Sequence, residues 1–376
     1  MERVYLDWNA TAPLRPEARA AMLAAMDVVG NPSSVHAEGR AAKAIVERAR
    51  GQVAALVGVP AKDVVFTSGA TEAAASIFHA VGHFASSDVE HDAVYAYRDA
   101  TNRLATDGNG RFALDPSFDT NVLGALSTFD VIALQMANSE TGILQDVATV
   151  ANYVRDRAPK NRVLCDAVQA VGKVPVSVPW MGADYTLISA HKLGGPKGAG
   201  ALIATRGMDS LEIDPMMRGG GQELGRRSGT ENVIGIAGFG AACEAAQRDL
   251  DNGVWDQVEK LRNILEMTLA SEAKDTIFVG KDAPRLPNTS CFATPGWKGE
   301  TQVMQMDLAG FAVSSGSACS SGKVKVPRVL RAMGLDDRTA EGALRVSLGP
   351  TTTEDEVLRF AETWLKHEKR FRQRAA

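Results

Sequence analysis

Tyr185-Thr-Leu-Ile-Ser-Ala-His-Lys-Leu-Gly-Gly-Pro-Lys-Gly198 is the stretch on which the reading of this chain turns. Its first half is β-rich, and the Gly-Gly-Pro that follows forbids continuation as either strand or long helix. Lys192 is thereby held at an element end, with Ser189 and His191 beside it. A fixed amine flanked by groups able to hold phosphate is what a Schiff base to pyridoxal phosphate (PLP) requires. The competing reading is a solvated turn lysine, and the neighbours decide between the two.

Outward from this stretch, strand-like segments recur at 93–97, 131–136, 163–165 and 201–204, with helical stretches such as 147–158 between several of them. That alternation predicts an α/β fold with a large, mainly parallel sheet. In such sheets ligands collect beyond the carboxyl ends of the strands. Asn138-Ser-Glu-Thr-Gly142, Asp166-Ala-Val-Gln169 and Ser189-Ala-His-Lys192 each follow a strand in that way. Upstream, Val64-Val-Phe-Thr-Ser-Gly-Ala-Thr-Glu72 feeds a β-branched run into a turn, and a helix begins near Ala73. Backbone N–H groups at such a start, with the Thr71 hydroxyl, form a phosphate cradle or an ordinary helix cap.

At the N-terminus, Val4–Asp7 reads as a strand, and helices are expected over 17–29 and 37–57, the second capped from Asn31-Pro-Ser-Ser34 and stopped by Gly58. From about Gly253 the character changes, which predicts a smaller α+β domain made of 1–14 and 253–376 beside a large domain of 15–252. Its last helix opens on a capping box, Thr353-Glu-Asp-Glu356. Phe360 and Trp364 follow at helical spacing and read as core.

With 45% hydrophobic and 23% charged residues, the composition is that of a soluble globular protein. A net charge of -4 provides no broad basic field for nucleic acid or membrane. The start of the chain has no apolar signal core and no run approaches a membrane span, so a cytoplasmic location is the expectation. The four cysteines lie far apart without a C-x-x-C pair, which argues against a disulfide framework or a metal site and leaves room for one reactive thiol.

Individual residues then take chemical readings, each with a plainer rival. Asp166 ends a β-rich run, where a carboxylate is expensive to bury without a partner such as a pyridinium N1, or it caps a helix. Gln169 is placed to donate to the phenolic oxygen of the cofactor. His91 stacks on the ring or shuttles protons, or it is an ordinary surface histidine before a strand. Cys319, in Ser314-Ser-Gly-Ser-Ala-Cys-Ser-Ser-Gly322, is a loop thiol able to attack a substrate sulfur, or an incidental cysteine in a linker. Arg345, in a β-like run, is read as a lone buried guanidinium awaiting an anion such as a substrate carboxylate, with a structural salt bridge as its rival.

Assembled, these residues closely resemble the NifS/IscS-type cysteine desulfurases, PLP-dependent transferases of fold type I within the class V aminotransferases. The matching pieces include Tyr5-Leu-Asp-Trp-Asn-Ala-Thr11, Asn31-Pro-Ser-Ser-Val-His36, Thr67-Ser-Gly-Ala-Thr-Glu72, Ser189-Ala-His-Lys192, Arg227-Ser-Gly-Thr230 and Ser314-Ser-Gly-Ser-Ala-Cys319. The last of these, in order with the lysine, is the specific one.

The resemblance implies that Lys192 holds PLP, that Asp166 pairs with N1 and Gln169 with the phenolate, and that His91 covers the ring. It implies that Ala70, Thr71, Ser189 and His191 hold phosphate, with Thr230 supplied by the neighbouring subunit of a homodimer. Arg345 and Asn31 become substrate-binding residues. Cys319 becomes the catalytic thiol, taking sulfur from L-cysteine as a persulfide for an acceptor such as an iron–sulfur scaffold protein. Ser139 stands where the family commonly has a second Asn near PLP, so either Ser139 or Asn138 is expected there. Ala73-Ala-Ala75 replaces a stretch that usually contains Asn. A selenocysteine lyase, an aminotransferase using the same lysine, and a non-catalytic binding relative are the rival readings.

Overall fold

The strands, in chain order, are Val4–Tyr5 (β1), Val64–Thr67 (β2), Phe84–Ser87 (β3), Arg103–Leu104 (β4), Val131–Gln135 (β5), Arg162–Asp166 (β6), Tyr185–Ser189 (β7), Gly200–Ala204 (β8), Ile277–Phe278 (β9), Thr289–Ala293 (β10), Phe311–Ala312 (β11) and Ala343–Ser347 (β12). The computed structural model describes residues 3–97, 103–113, 126–205, 215–316 and 327–375. Seven strands form the main sheet in the order β2-β8-β7-β6-β5-β3-β4. From β7 to β4 every pairing is parallel, whereas β8 runs antiparallel to both β7 and β2. The turn between β7 and β8 is too short for a crossover, so that pair is antiparallel. Between β5 and β6 the helix Val147–Arg157 supplies the crossover.

Every residue of β5, β7 and β8 is buried, as expected of strands covered on both faces. Alternate residues divide between two cores. Ile132, Leu134, Cys165 and Ile188 pack with Val46, Val53 and Phe239 on one side, from the helices Ala37–Val57 and Val233–Asp251. Val131, Ala133, Leu164 and Leu187 pack with Ile77 and Phe78 of the helix Ala70–Ala80 on the other.

A second sheet, β12-β10-β9, is antiparallel, and β1 pairs in parallel with β11. Its core brings Val4 and Leu6 together with Trp255, Phe292, Trp297, Phe360 and Trp364. The Trp364 ring stands edge-on to Phe292 at 5.2 Å, and its Nε1 donates to Gln302 Oε1 at 2.9 Å. The capping box is formed: Thr353 N donates to Glu356 Oε2 at 2.8 Å and Glu356 N to Thr353 Oγ1 at 3.3 Å.

Two local expectations fail. Residues 93–97 were expected as a strand, but Asp92–Tyr95 is a helical turn, because the His91 side chain accepts the Ala93 N–H and starts one. The preceding strand is β3, whose Phe-Ala-Ser-Ser sequence carries little β signal. The helix Ala37–Val57 is capped by His36, which accepts the Gly39 N–H, and not from Asn31-Pro-Ser-Ser34; Gly58 does stop it, at φ 74°.

Trp364→Ala is expected to destabilise the protein by about 3–5 kcal/mol, and Thr353→Ala by about 1 kcal/mol. Urea midpoints at unchanged m-value would report both.

Candidate active site

The carboxyl edge of the main sheet assembles the predicted residues because its strands are in register. Gln135, Asp166 and Leu187 are aligned across β5, β6 and β7, and Ser189, Gly200 and Thr67 across β7, β8 and β2. Asp166, the Ser189–Lys192 turn and the Ser68–Thr71 turn therefore leave the sheet on one side. A Cβ on Gly200 would lie 2.7 Å from the Gly69 Cα, so only glycine lets that turn rest against β8. Ala70 and Thr71 open the helix Ala70–Ala80, and Glu72 ties the turn down, accepting from Ser68 N at 2.8 Å and from Arg227 Nε at 2.9 Å.

Lys192 sits on a short 3-10 turn after β7. Its Nζ donates to the main-chain oxygens of Asn9 at 2.5 Å and Ala10 at 2.9 Å. The N-terminal arm thus runs directly past the lysine. His191 Nδ1 lies 3.1 Å from Thr11 Oγ1, and burial first, then Lys192, push its pKa down to about 4. A neutral imidazole beside the lysine is the result.

Asp166 is buried, and its Oδ1 accepts the Val168 N–H at 3.0 Å. Burial raises its pKa, while His91 and Lys192 act the other way. Gln169, also buried, donates from Nε2 to Asn9 O at 3.0 Å.

Arg345 departs from expectation: it is not a lone guanidinium. Its Nη2 pairs with Asp7 Oδ1 at 2.6 Å and its Nη1 donates to Ser139 O at 2.9 Å. Asp7 Oδ2 in turn accepts from Ser314 Oγ at 2.7 Å, where Ser314 bridges Arg345 through the backbone. The salt bridge that sequence offered only as a rival is present. Arg345 Nε, however, is buried with no hydrogen-bond partner among the described residues. Asn138 spends its side chain on its own turn, accepting from Glu140 N and Thr141 N and donating to Val89 O. Ser139 has no such side-chain commitment among the described residues.

Asn31 and Thr230 are both exposed, and Cys319 lies outside the described residues. Sequence reasoning gave no role to Asp7, Asn9, Lys173 or Arg328. Arg328 donates to Glu90 O at 2.7 Å and Asp92 Oδ1 at 2.9 Å, bracketing His91. Lys173 carried a signal, as a lysine in an apolar stretch four residues after Gln169.

Glu90, at 0% exposure, has its pKa pushed up to about 8, first by burial. Its Oε1 accepts from Gln135 N at 3.1 Å, and Oε2 has no partner among the described residues. An unfolded chain ionises this group near pH 4.5. Between the two values the folded chain holds a proton that the unfolded chain has lost, so stability falls as pH rises through that window. Glu90→Gln is expected to flatten this slope in urea unfolding followed from about pH 4.5 to 8.

A family model for aminotransferase class-V matches residues 4–360. A cysteine desulfurase from Cereibacter sphaeroides is 40% identical over 380 residues, spanning 96% of this chain and 95% of that protein. A cysteine desulfurase IscS from Dictyoglomus turgidum is 34% identical over 371 residues, spanning 94% and 91%. The X-ray structure of a NifS-like protein from Rickettsia africae superposes with a TM-score of 0.87 at 31% identity, over 97% of this chain and 99% of that one. The chain belongs to the class-V aminotransferase family, PLP enzymes of fold type I.

Proposed function

We infer that this chain is a cysteine desulfurase, converting L-cysteine to L-alanine and passing the sulfur to a cysteine of its own. The observation that carries the reading is one sheet edge that gathers Lys192, Asp166 and Gln169 in a chain 40% identical to a cysteine desulfurase. The relatives named above favour sulfur transfer over the selenocysteine and transamination readings.

The residues present fit PLP. Asp166 offers a buried carboxylate whose Oδ2 has no hydrogen bond among the described residues, which suits a cationic ring N–H. Ser189 and the helix start at Ala70 and Thr71 supply a hydroxyl and backbone N–H groups for a phosphate, with neutral His191 as a further donor. Gln169 Nε2 has a second hydrogen for the phenolic oxygen, and His91 would cover the ring. Asn138 is already committed, so Ser139 is the better candidate for a cofactor contact. Thr230, exposed in one chain, would reach the phosphate of the neighbouring subunit in a homodimer.

When bound, PLP supplies an electron sink for the pair left at the substrate Cα. The chain's residues do the rest. Lys192 anchors the cofactor and moves the proton at the substrate Cα; its acceptors Asn9 O and Ala10 O hold the amine in place. Arg345 Nε, unspent and buried, receives the substrate carboxylate, while Asp7, bonded at Nη2, fixes the guanidinium. The Cys319 thiolate attacks the cysteine Sγ, forming an S–S bond as the Cβ–S bond breaks; the bonding pair stays on carbon and takes a proton, leaving alanine and a persulfide. Asn31 is proposed at the substrate entrance.

We further propose that residues 15–252 form the PLP-binding unit, and 1–14 with 253–376 the unit that carries Cys319. The acceptor is an iron–sulfur scaffold or another thiolation partner, and the compartment is cytoplasmic. Among the described residues no helix is long and apolar enough to cross a membrane.

Mass spectrometry after cysteine addition should find one extra sulfur on Cys319 and an equal amount of alanine. Cys319→Ser that still transfers sulfur would overturn the reading. Arg345→Lys is expected to raise KM for cysteine about tenfold, the loss of a charge-assisted bond, with a smaller change in kcat.

A further inference from the structure

Lys173 is a buried amine that the mechanism above does not use. It lies one helical turn after Gln169, on a segment in which Ala170 N and Val171 N bond back to Ala167 O and Lys173 N to Ala170 O. Gly172, at φ 79°, turns the chain there; a Cβ would strike Ala246 and Leu193 at 3.1 and 3.2 Å. The side chain is 3% exposed and makes no ion pair among the described residues. Its Nζ donates instead to two neutral oxygens, Gln169 Oε1 at 2.7 Å and Asn9 Oδ1 at 3.0 Å. Packing alone does not explain it, since methionine would fill a similar volume without a polar atom to bury.

We propose that Lys173 is a positioning residue for the cofactor: by donating to Gln169 Oε1 it locks the amide so that Nε2, and not Oε1, faces the phenolic oxygen of PLP. The inference rests on the role given to Gln169 above. An amide flips easily, and its orientation is set by its neighbours. Here Nε2 spends one hydrogen on Asn9 O, leaving the other for the cofactor. Reversed, Oε1 would oppose both the Asn9 carbonyl and the phenolic oxygen, acceptor against acceptor. The Asn9 carbonyl favours the same orientation from one side of the amide, and Lys173 fixes it from the other. Burial, then Lys192 and Arg345, hold the Lys173 amine well below its ordinary pKa. Both protonation states have at least two hydrogens, so the lock holds in either.

The same amine steadies Lys192. Asn9 Oδ1 accepts from Lys173 and from Asn288 Nδ2 at 3.1 Å, and the main-chain oxygen of this residue receives Lys192. The charged and titratable groups acting on this corner are Lys192, Arg345, Asp166, His91, His191 and Lys197.

The test compares holoenzyme of wild type, Lys173→Met, Lys173→Gln, Gln169→Ala and the Lys173→Met/Gln169→Ala double variant, with Lys173→Leu in reserve should methionine prevent folding. Two quantities are read: the PLP dissociation constant from titration of apoprotein, and the pH midpoint at which the bound cofactor's absorbance changes. A donor to the phenolic oxygen favours its ionised form, so Lys173→Met is expected to raise the midpoint by about one pH unit and to weaken PLP about tenfold. Lys173→Gln, which keeps a donor, restores most of both. In the Gln169→Ala background the lysine substitution adds nothing further. Equal effects in both backgrounds, or weaker PLP with an unmoved midpoint, overturn the proposal and make Lys173 a packing residue. Wild type that binds no PLP at all overturns the cofactor roles and this inference with them, whereas failure of sulfur transfer alone leaves it standing.

Discussion

Asn9 is the polar junction on which the site depends. Its main-chain oxygen accepts from Lys192 and Gln169, its Oδ1 from Lys173 and Asn288, and its N–H donates to Ser347 Oγ. Its Nδ2 donates to Thr289 Oγ1 and to the Ser139 carbonyl. One residue, 1% exposed, thereby ties the N-terminal arm to the main sheet, to the second sheet and to the turn after β5. A buried network is worth having only when its members are satisfied, and here every donor and acceptor of Asn9 is used.

The charges follow from this arrangement. Lys192, Lys173 and Arg345 converge on one corner, and each meets neutral oxygens there. Arg345 has a short carboxylate partner, Asp7, which also holds Ser314 near the start of the cysteine-bearing segment. Breaking such a buried pair is costlier than making it is favourable, so Asp7 fixes where the guanidinium stands. Among the described residues Arg345 keeps a buried Nε–H without a partner, and Asp166 keeps one oxygen without a hydrogen bond. A small zwitterionic amino acid bound beside a cationic ring matches that remainder.

Much of the fold was legible because local signals agreed with the tertiary outcome. Tyr185–Ser189 is a strand to the residue, Ala37–Val57 ends at Gly58, and the Thr353 capping box forms as read. The misreadings have physical causes. Phe84–Ser87 is a strand because it is paired and covered, not because Ala and Ser favour one. Residues 93–95 are helical because His91 bonds Ala93, an effect of one side chain that propensity does not see. Arg345 was read as lone because its partner, Asp7, is 338 positions away in the chain.

Sequence by itself determined the alternation of elements and the identity of the reactive groups, since periodicity, caps and residue chemistry are local properties. It determined that Lys192 must end an element and that Asp166 must end a strand. Only the tertiary structure decided which groups meet. Strand register put Asp166 beside the lysine's strand, and the docking of the arm brought Asn9 onto Lys192 and Lys173. Those contacts join residues 164 to 183 positions apart, and their energy comes from desolvation and hydrogen-bond geometry that no local pattern encodes.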